Sequence, residues 1–295
     1  MTVPLLAKLP KVRDDPMPRE TLTGHLADVV FTSRTIMNHH GAEILNGMGL
    51  EKSGFFDLLT KSLLRASFLH DLGKANSHFQ RAVREKDFIP QAFRHEWLSA
   101  WIPLASQDFW QWIFDDLDEL AVNSILFAVL GHHLKFYDGS VLSPKEGTGL
   151  EEIGVFLDDQ SLFSCMQKLG SDLGTKAPPR FGPLTIDPFK KPLAELKSWL
   201  VETFAWFEKR NEEERRFIAA VKALLIAADV AGSALARNVV EPAQWVEKAL
   251  ERVCSAAFFE NVVERSLQGK NLRDFQIKAA RSLSDKLFIR AGCGS

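Results

Sequence analysis

The sequence predicts an all-α protein, and two observations support this prediction. Apolar residues recur at the spacing of amphipathic helices through most of the 295 residues. Alternation of apolar and polar residues with β-branched side chains, which is typical of strands, is scarce. With 46% apolar and 25% charged residues, the chain has the composition of a globular protein with a sizeable core. We therefore expect a helical bundle.

The first half of the chain predicts four helices. The first begins near Thr21 or Thr23, because threonine can cap a helix N-terminus, and it ends before Gly41. The second stops at Gly73 for the same reason. The second, third and fourth helices cover about residues 55–72, 96–114 and 120–135.

Two stretches rich in loop-forming residues follow and predict an irregular insertion. SPKEGTG lies near residue 143 and GTKAPPRFGP near residue 174, and they enclose one short helix at about 162–169. Helices resume at about 193–209 and 212–237. The composition of the chain changes after the polar segment QGKN, which covers residues 268–271. We therefore predict a main domain over residues 1–267 and a short C-terminal extension over residues 268–295.

Charge, cysteine content and hydropathy exclude several classes of protein. A formal charge of -2 excludes nucleic-acid binding by bulk basicity, so such binding requires a local site. Cys165, Cys254 and Cys293 are too widely separated for a zinc knuckle or a disulfide framework, which indicates a reducing compartment. No apolar run approaches the roughly 18 residues that span a bilayer. We expect a cytoplasmic monomer without a membrane partner.

An imidazole lies beside a carboxylate at the end of an apolar helix, in the segment FLHDLGK. Adjacent helical residues point about 100° apart, so His70 and Asp71 can address two neighbouring metal ions. The two oxygens of Asp71 could bridge those ions. The pair alone is also compatible with a capping aspartate beside a buried histidine.

Other polar residues lie where the pattern predicts a core. His25 is on the apolar side of the first helix, His95 lies in FRHE, and His132 and His133 end the run SILFAVLG. Asp229 lies in ALLIAADVAGS, where an unpaired carboxylate would cost several kcal/mol. A metal ion would offset that cost, and a buried salt bridge with Arg or Lys is the alternative.

These residues, in this order, resemble the HD metal-dependent phosphohydrolase superfamily. The segments HDLGKANSHFQ, RHEWLSA, GHHLK and AADVAGS are more narrowly similar to the HD nuclease domain of the CRISPR-associated nuclease-helicase of type I interference systems, over about residues 20–240. The resemblance implies an HD-domain helical bundle with two metal ions. It implies that one ion is held by His25, His70, Asp71 and Asp229, and that Asp71 bridges to a second ion held by His95, His132 and His133.

The implied donor set predicts the class of metal and the chemistry. Two divalent ions and two carboxylates together give the site a net charge of about +2. A positive site of this kind suits an anionic phosphodiester and its transition state. Imidazole-rich ligation favours manganese, iron, nickel or cobalt over magnesium, which prefers oxygen ligands. Two ions roughly 3.5–4 Å apart can activate a water for in-line attack. Asp71 is the expected central catalytic residue.

Lys74 and Ser233 are candidates for supporting roles. The resemblance places Lys74 near the scissile phosphate as a catalytic point charge, and a surface lysine after a helix-ending glycine is the alternative. Ser233 lies one turn beyond Asp229 and can hydrogen-bond to it, although a small residue there also permits close helix packing.

Three histidines and a tryptophan cluster have alternative interpretations. His39 and His40 are interpreted as exposed residues at the end of the first helix, where the helix dipole favours them. His78 follows the metal motif and is a candidate for substrate contact. The tryptophans of residues 97–112 could stack on the bases of single-stranded DNA, but their helical spacing favours core packing.

The last residues resemble the start of a superfamily 2 helicase domain. NLRDFQIKAA is similar to the segment whose glutamine recognises adenine, with Gln276 as that glutamine, and AGCGS resembles the opening of an A-x-x-G-x-G-K-T phosphate loop. The lysine and hydroxyl of that loop are absent, so we expect no ATP hydrolysis by this chain. A glycine-rich tail that arose by chance is the alternative.

The sequence therefore predicts a metal-dependent nuclease that cleaves single-stranded DNA. The resemblance adds recruitment by a crRNA-guided surveillance complex of the Cascade type and degradation of the displaced strand of an R-loop. One alternative is an HD phosphohydrolase that acts on nucleotides or cyclic dinucleotides, since it would share the same ligands. The other is a non-catalytic docking module with a vestigial site, against which the retention of all seven candidate ligands argues.

Overall fold

The computed structural model describes residues 4–12, 15–50, 54–85, 91–133, 151–188, 190 and 193–235. The chain divides into two units, Met1–Ala249 and Leu250–Ser295, and the described residues all belong to the first. The predicted domain boundary at residue 267 and the helicase-like residues, including Gln276, lie outside the described residues and stay predictions.

The described residues form nine α-helices and one two-stranded sheet, which confirms the predicted all-α class. The sheet pairs β1 (Ile153–Val155) with β2 (Leu184–Ile186) in antiparallel register. None of the described helices is long and apolar enough to cross a bilayer. The helices are α1 (Leu22–Met48), α2 (Phe55–Leu69), α3 (Ser77–Arg84), α4 (His95–Ala105), α5 (Gln107–Phe114), α6 (Glu119–Gly131), α7 (Gln160–Leu173), α8 (Ala194–Glu208) and α9 (Glu212–Leu235).

Helices α1, α2, α6 and α9 pack against one another and form the centre of the domain. Their facing positions carry fully buried apolar side chains, such as Val29 of α1, Leu63 of α2, Ile125 of α6 and Leu225 of α9. Burial of this apolar surface is the main stabilising contribution. Polar residues on the inward faces of these helices consequently lie in a dry environment.

Helix α1 continues through Gly41, so the predicted end of the first helix is wrong. A Cβ atom at Gly41 would lie 2.8 Å from the ring of Phe56, and the glycine therefore permits close packing. The helix ends before Gly49, whose left-handed φ of 65° suits glycine. His39 and His40 lie inside the helix and not at its end.

The helix predicted over residues 96–114 is two helices, α4 and α5. Ser106 separates them with an extended backbone, and its hydroxyl accepts a hydrogen bond from the amide of Phe109 at 3.3 Å. Pro103 near the end of α4 lacks an amide hydrogen and weakens the last turn of that helix. The indole Nε1 groups of the buried Trp101 and Trp112 donate hydrogen bonds within the protein, which agrees with core packing.

The described part of the predicted irregular insertion contains one helix and two short strands, with irregular segments between them. Helix α7 has 14 residues and is longer than the helix predicted there. Asp159, which resembles a loop residue in the sequence, caps α7 by accepting hydrogen bonds from the amides of Ser161 and Leu162 at 2.9 and 3.0 Å. Strands β1 and β2 lie on either side of α7 in the chain, and residues 175–183, within GTKAPPRFGP, contain neither helix nor strand, as predicted.

The turn after α2 also differs from the prediction. Helix α2 ends at Leu69, and a short 3₁₀ turn over Leu72–Lys74 carries the chain past the predicted helix end. Helix α3 follows and was not predicted. Asn76 caps it by accepting a hydrogen bond from the amide of Phe79 at 2.9 Å.

Arg65 is a fully buried cation that joins α2 to the C-terminal ends of α5 and α7. Its guanidinium donates hydrogen bonds to the carbonyls of Ile113 (2.9 Å), Leu173 (3.0 Å) and Gly174 (3.3 Å). It also forms an ion pair with Asp116 at 2.6 Å. The cation therefore satisfies helix-end carbonyls that otherwise have no intrahelical donor.

Candidate metal centre

All seven predicted metal ligands lie close together, and all are buried except His95, which is partly buried, and His133, which is exposed. They form two groups that could hold a metal ion, and the ligand atoms of each group lie within 4.8 Å of one another. The two groups share one residue, Asp71. The first group contains His25 of α1, His70 and Asp71 after α2, and Asp229 of α9, and the second contains Asp71, His95 at the start of α4, and His132 and His133 after α6.

The first group is a compact set of two imidazoles and two carboxylates. His25 Nε2 lies 2.9 Å from Asp71 Oδ2 and 3.2 Å from His70 Nε2. Asp229 Oδ1 lies 3.5 Å from the Nε2 atoms of both His25 and His70. Donor atoms at roughly 2.0–2.2 Å from one tetrahedral ion have a similar mutual spacing. The geometry of the first group fits a cation.

The second group contains three buried polar atoms that have no hydrogen-bond partner among the described residues: Asp71 Oδ1, His95 Nε2 and His132 Nε2. Asp71 Oδ1 lies 3.0 Å from His95 Nε2 and 3.8 Å from His132 Nε2. The ring of His133 is 4.1 Å from that of His132, measured between centroids. Buried polar atoms without partners are rare, and three of them so close together fit a cation that binds them all.

Local hydrogen bonds orient two of the imidazoles. His70 Nδ1 lies 2.7 Å from the carbonyl of Ser67, and His132 Nδ1 lies 2.6 Å from the carbonyl of Val129. Each Nδ1–H donates to the carbonyl three residues earlier, at the end of its helix. The Nε2 lone pair of each ring therefore faces the group of ligands, as metal-binding imidazoles require.

Glu96 was not among the predicted site residues. It is buried, and its Oε2 lies 3.4 Å from His95 Nδ1, while Arg94 Nε donates to its Oε1 at 3.1 Å. Burial opposes its charge, but His95 and Arg94 outweigh burial and lower the pKa of Glu96. An ionised carboxylate on the far side of a ligand imidazole orients that ring. The run Arg-His-Glu was the signal in the sequence from which Glu96 could have been predicted, because it places a carboxylate directly beside the candidate ligand His95.

The two central carboxylates are held in their ionised form. Burial raises the pKa of Asp71, but Lys74, His70 and His95 outweigh it and hold that pKa well below its usual range. The pKa of Asp229 is lowered in the same way, by His70 against burial. Both aspartates therefore present anionic oxygens, which divalent cations bind well.

The imidazoles divide into two electrostatic types. Burial lowers the pKa of His25, and burial together with His132 lowers that of His133 to about 4. Burial also opposes a charge on His70, but the neighbouring carboxylates outweigh it and raise its pKa to about 10. Without a metal ion, the proton on His70 partly balances the two buried carboxylates.

Lys74 and Ser233 each contact one of the aspartates. Lys74 Nζ lies 2.6 Å from Asp71 Oδ2 and 5.5 Å from the ring centroid of Phe79. Its side chain is only 13% exposed, which disagrees with the alternative of a free surface lysine. Ser233 Oγ donates to Asp229 Oδ1 at 3.0 Å. Each residue is thus in contact with a candidate ligand.

Asp229 has no lysine or arginine partner within 4 Å among the described residues, so the predicted alternative of a buried salt bridge with such a residue finds no support. Gly232 of α9 brings this part of the helix close to α1, since a Cβ atom there would lie 2.9 Å from Val29.

His78 of α3 is buried, and neither ring nitrogen has a hydrogen-bond partner in the described part of the chain. Its contact with substrate stays a prediction.

The turn that carries the metal motif packs directly on α4 at Gly73. A Cβ atom at Gly73 would lie 2.1 Å from the carbonyl oxygen of His95 and 2.6 Å from the amide of Ser99, whose hydroxyl accepts a hydrogen bond from the Gly73 amide at 2.8 Å. Backbone atoms cannot move aside as a flexible side chain can. The glycine therefore allows His95 to approach Asp71.

We expect Gly73→Ala to lower the free energy of unfolding by about 1–3 kcal/mol, because the added methyl group overpacks a rigid contact. Urea denaturation would measure the loss. Gly47→Ala is the matched control, since Gly47 lies in α1 with open space around its Cβ position, and alanine there is expected to stabilise the helix by up to about 1 kcal/mol. Equal stability of the two variants would contradict the packing argument.

Comparison with known proteins identifies the family. Residues 7–237 match the Cas3 HD domain, a range that contains every member of both ligand groups. The chain is also 35% identical over 294 residues to a protein of Myxococcus xanthus (strain DK1622) that is named as a CRISPR-associated nuclease/helicase Cas3. The alignment covers 99% of this chain and 39% of the length of that relative. These matches confirm the predicted resemblance, and the chain belongs to the Cas3 HD domain family.

Proposed function

We propose that this domain is a two-metal nuclease that hydrolyses phosphodiester bonds in single-stranded DNA. The observation that carries the proposal is the position of Asp71 between the two ligand groups. Its Oδ2 is 2.9 Å from His25 Nε2, and its Oδ1 is 3.0 Å from His95 Nε2. One carboxylate could therefore contribute an oxygen to each of two cations, and two-metal sites of this kind support in-line phosphoryl displacement.

The residues of the two groups would have distinct roles in this reaction. When bound, the two cations supply the Lewis acidity that activates a water and stabilises the leaving oxygen. Asp71 would fix their spacing, and Ser233 would hold Asp229 in position. Lys74, beside Asp71, provides a positive charge for a phosphate oxygen of the substrate. No covalent nucleophile from the protein is needed.

The donor set supports a transition metal over magnesium. Five imidazoles and two carboxylates contribute to the two groups. Imidazole suits manganese, iron, cobalt and nickel, whereas magnesium binds mainly to oxygen and retains several waters. We therefore propose two divalent transition-metal ions.

The substrate and the partners are proposed from the family and the relative. The relative is named as a nuclease and a helicase, and a helicase produces single strands, which suit a nuclease that acts on single-stranded DNA. We place the activity in CRISPR interference, with recruitment by a crRNA-guided surveillance complex of the Cascade type and cleavage of the displaced strand of an R-loop. We propose a cytoplasmic monomer for the domain itself.

A substrate comparison tests this function. The chain, purified without added metal, is loaded with manganese, cobalt, nickel, iron(II) or magnesium and incubated with circular single-stranded DNA, the matching duplex, mononucleotides and a cyclic dinucleotide. We expect cleavage of the single strand, faster with the transition metals than with magnesium, and no cleavage with a chelator.

The other outcomes distinguish the alternatives. Hydrolysis of nucleotides or the cyclic dinucleotide without cleavage of DNA would contradict the proposal and favour the phosphohydrolase. A metal-loaded protein that hydrolyses none of these substrates would favour the docking module. Elemental analysis of each sample establishes whether the metal has bound.

A further inference from the structure

A cavity of about 350 Å³ lies between α5, α6 and α8. We call it the tryptophan pocket, because three indoles line it. Its lining includes Trp110, Phe114, Trp199, Trp206, Glu119 and Glu202. Its α6 residues belong to the first turns of that helix, whereas His132 and His133 follow the last turn of its 13 residues. At 1.5 Å per residue, about 20 Å of helix separates the two ends, so the pocket is distinct from the candidate metal centre.

Neighbouring contacts hold two walls of the pocket in place. The rings of Trp110 and Phe114 meet edge to face with centroids 4.8 Å apart. Trp199 Nε1 donates a hydrogen bond to Asn123 Oδ1 at 3.0 Å. These contacts fix the ring orientations, so the aromatic surface is largely preformed, as is usual for ligand pockets.

The tryptophan pocket is acidic at its rim. Glu119 and Glu202 line it from exposed positions, and neither has an ion-pair partner among the described residues, although Ser198 Oγ donates a hydrogen bond to Glu202 Oε1 at 3.4 Å. No described Lys or Arg contributes to the lining. The adjoining Asp115 and Asp116 already pair with lysine and arginine side chains, so they add little charge of their own. An aromatic pocket with unpaired carboxylates attracts a cation and repels the phosphates of a nucleic acid.

Trp206 provides two further observations about the ligand. Its Nε1–H is buried and has no acceptor in the described part of the chain, so the indole ring and not its N–H is the part of Trp206 that is available to a ligand. The guanidinium of Arg210 lies 4.6 Å from the centroid of the same indole, and Arg210 pairs with Glu214. This indole thus already stacks with one guanidinium, although Arg210 is not among the lining residues.

We propose that the tryptophan pocket binds an arginine side chain on an exposed segment of a protein partner. The planar guanidinium stacks on indole faces, and Glu119 and Glu202 balance its charge. Lysine fits less well, because its ammonium is strongly hydrated and cannot stack as a plane.

Titration with a capped Gly-Arg-Gly peptide tests the proposal on the full chain. The indole Nε1–H resonances of the seven tryptophans are followed by nuclear magnetic resonance. We expect saturable shifts of the Trp199 and Trp206 resonances at millimolar peptide. The same peptide with citrulline, which has the shape of arginine without its charge, is expected to bind at least tenfold more weakly.

Charge variants provide the matched comparison. The double substitution Glu119→Gln and Glu202→Gln is expected to weaken the arginine peptide at least tenfold, whereas Glu208→Gln, an exposed position on α8, leaves binding unchanged. Equal binding of the citrulline peptide, or no saturable shift with arginine, would overturn the proposal. Shifts of the same resonances by oligothymidine, strengthened by the double substitution, would instead identify a base-stacking site and also overturn it. None of these readouts depends on nuclease activity.

Discussion

Asp71→Asn is expected to lower the rate of metal-dependent cleavage of single-stranded DNA by more than about 100-fold. Rate losses of this size are typical when one group that stabilises the charge of a transition state is removed. The amide keeps the shape of the carboxylate but has one oxygen and no charge, so it cannot present an anionic oxygen to each ligand group. It also leaves Lys74, 2.6 Å from the lost charge, without its anionic partner. Cleavage of circular single-stranded DNA and the bound metal per chain measure the effect.

The control for this variant is Asp57→Asn, which removes the same charge from an exposed position in the first turn of α2. We expect its cleavage rate to match that of the unmodified chain. Full cleavage by a folded Asp71→Asn variant would contradict the catalytic assignment. If that variant does not fold, His95→Gln removes a candidate ligand of the second group alone, and on the proposed assignment the metal content is expected to fall from two ions to one. Two ions bound by the latter variant would likewise contradict the assignment.

Arg65→Met is expected to lower the free energy of unfolding by about 3–5 kcal/mol, because three carbonyls inside the protein lose a charged donor and each such loss costs about 1–3 kcal/mol. Methionine fills part of the volume but donates no hydrogen bond. The carbonyls of Ile113, Leu173 and Gly174 would lose their donors inside the protein. Urea denaturation followed by circular dichroism measures the difference.

Lys61→Met is the matched control for Arg65, because both cations pair with the same carboxylate. Lys61 Nζ lies 3.0 Å from Asp116, and both side chains of that pair are nearly half exposed. An exposed pair of this kind contributes less than about 1 kcal/mol. Similar losses in the two variants would show that the buried carbonyl contacts of Arg65 do not provide the stability.

The helices and the candidate ligands could be predicted because both leave local signals. Apolar spacing marked α1, α2, α6 and α9, and polar residues inside those apolar patterns, such as His25 and Asp229, stood out as groups that need partners. The order in which the histidine and aspartate motifs occur along the chain then indicated the family. The assignment of individual ligands stays a prediction, although the geometry supports it.

Features that depend on partners distant in the sequence could not be predicted in the same way. A glycine can end a helix or permit close packing, and Phe56 decides the matter at Gly41. Asp159 and Ser106 are equally suitable for loops and for helix caps, and the difference depends on whether the next helix can bury a face. Glu96 is a different case, since it contacts the imidazole of the adjacent His95 and is not in either ligand group, so no spacing rule for ligands includes it.

The contacts of Arg65 also have a consequence for the kinetics of folding. The guanidinium joins carbonyls that are 48, 108 and 109 residues away along the chain. Contacts of such long range require large loops to close first, so we expect them to form after the transition state for folding. Interactions absent from the transition state slow unfolding without accelerating folding. Arg65 is therefore expected to prolong the lifetime of the native state, which determines resistance to irreversible thermal inactivation.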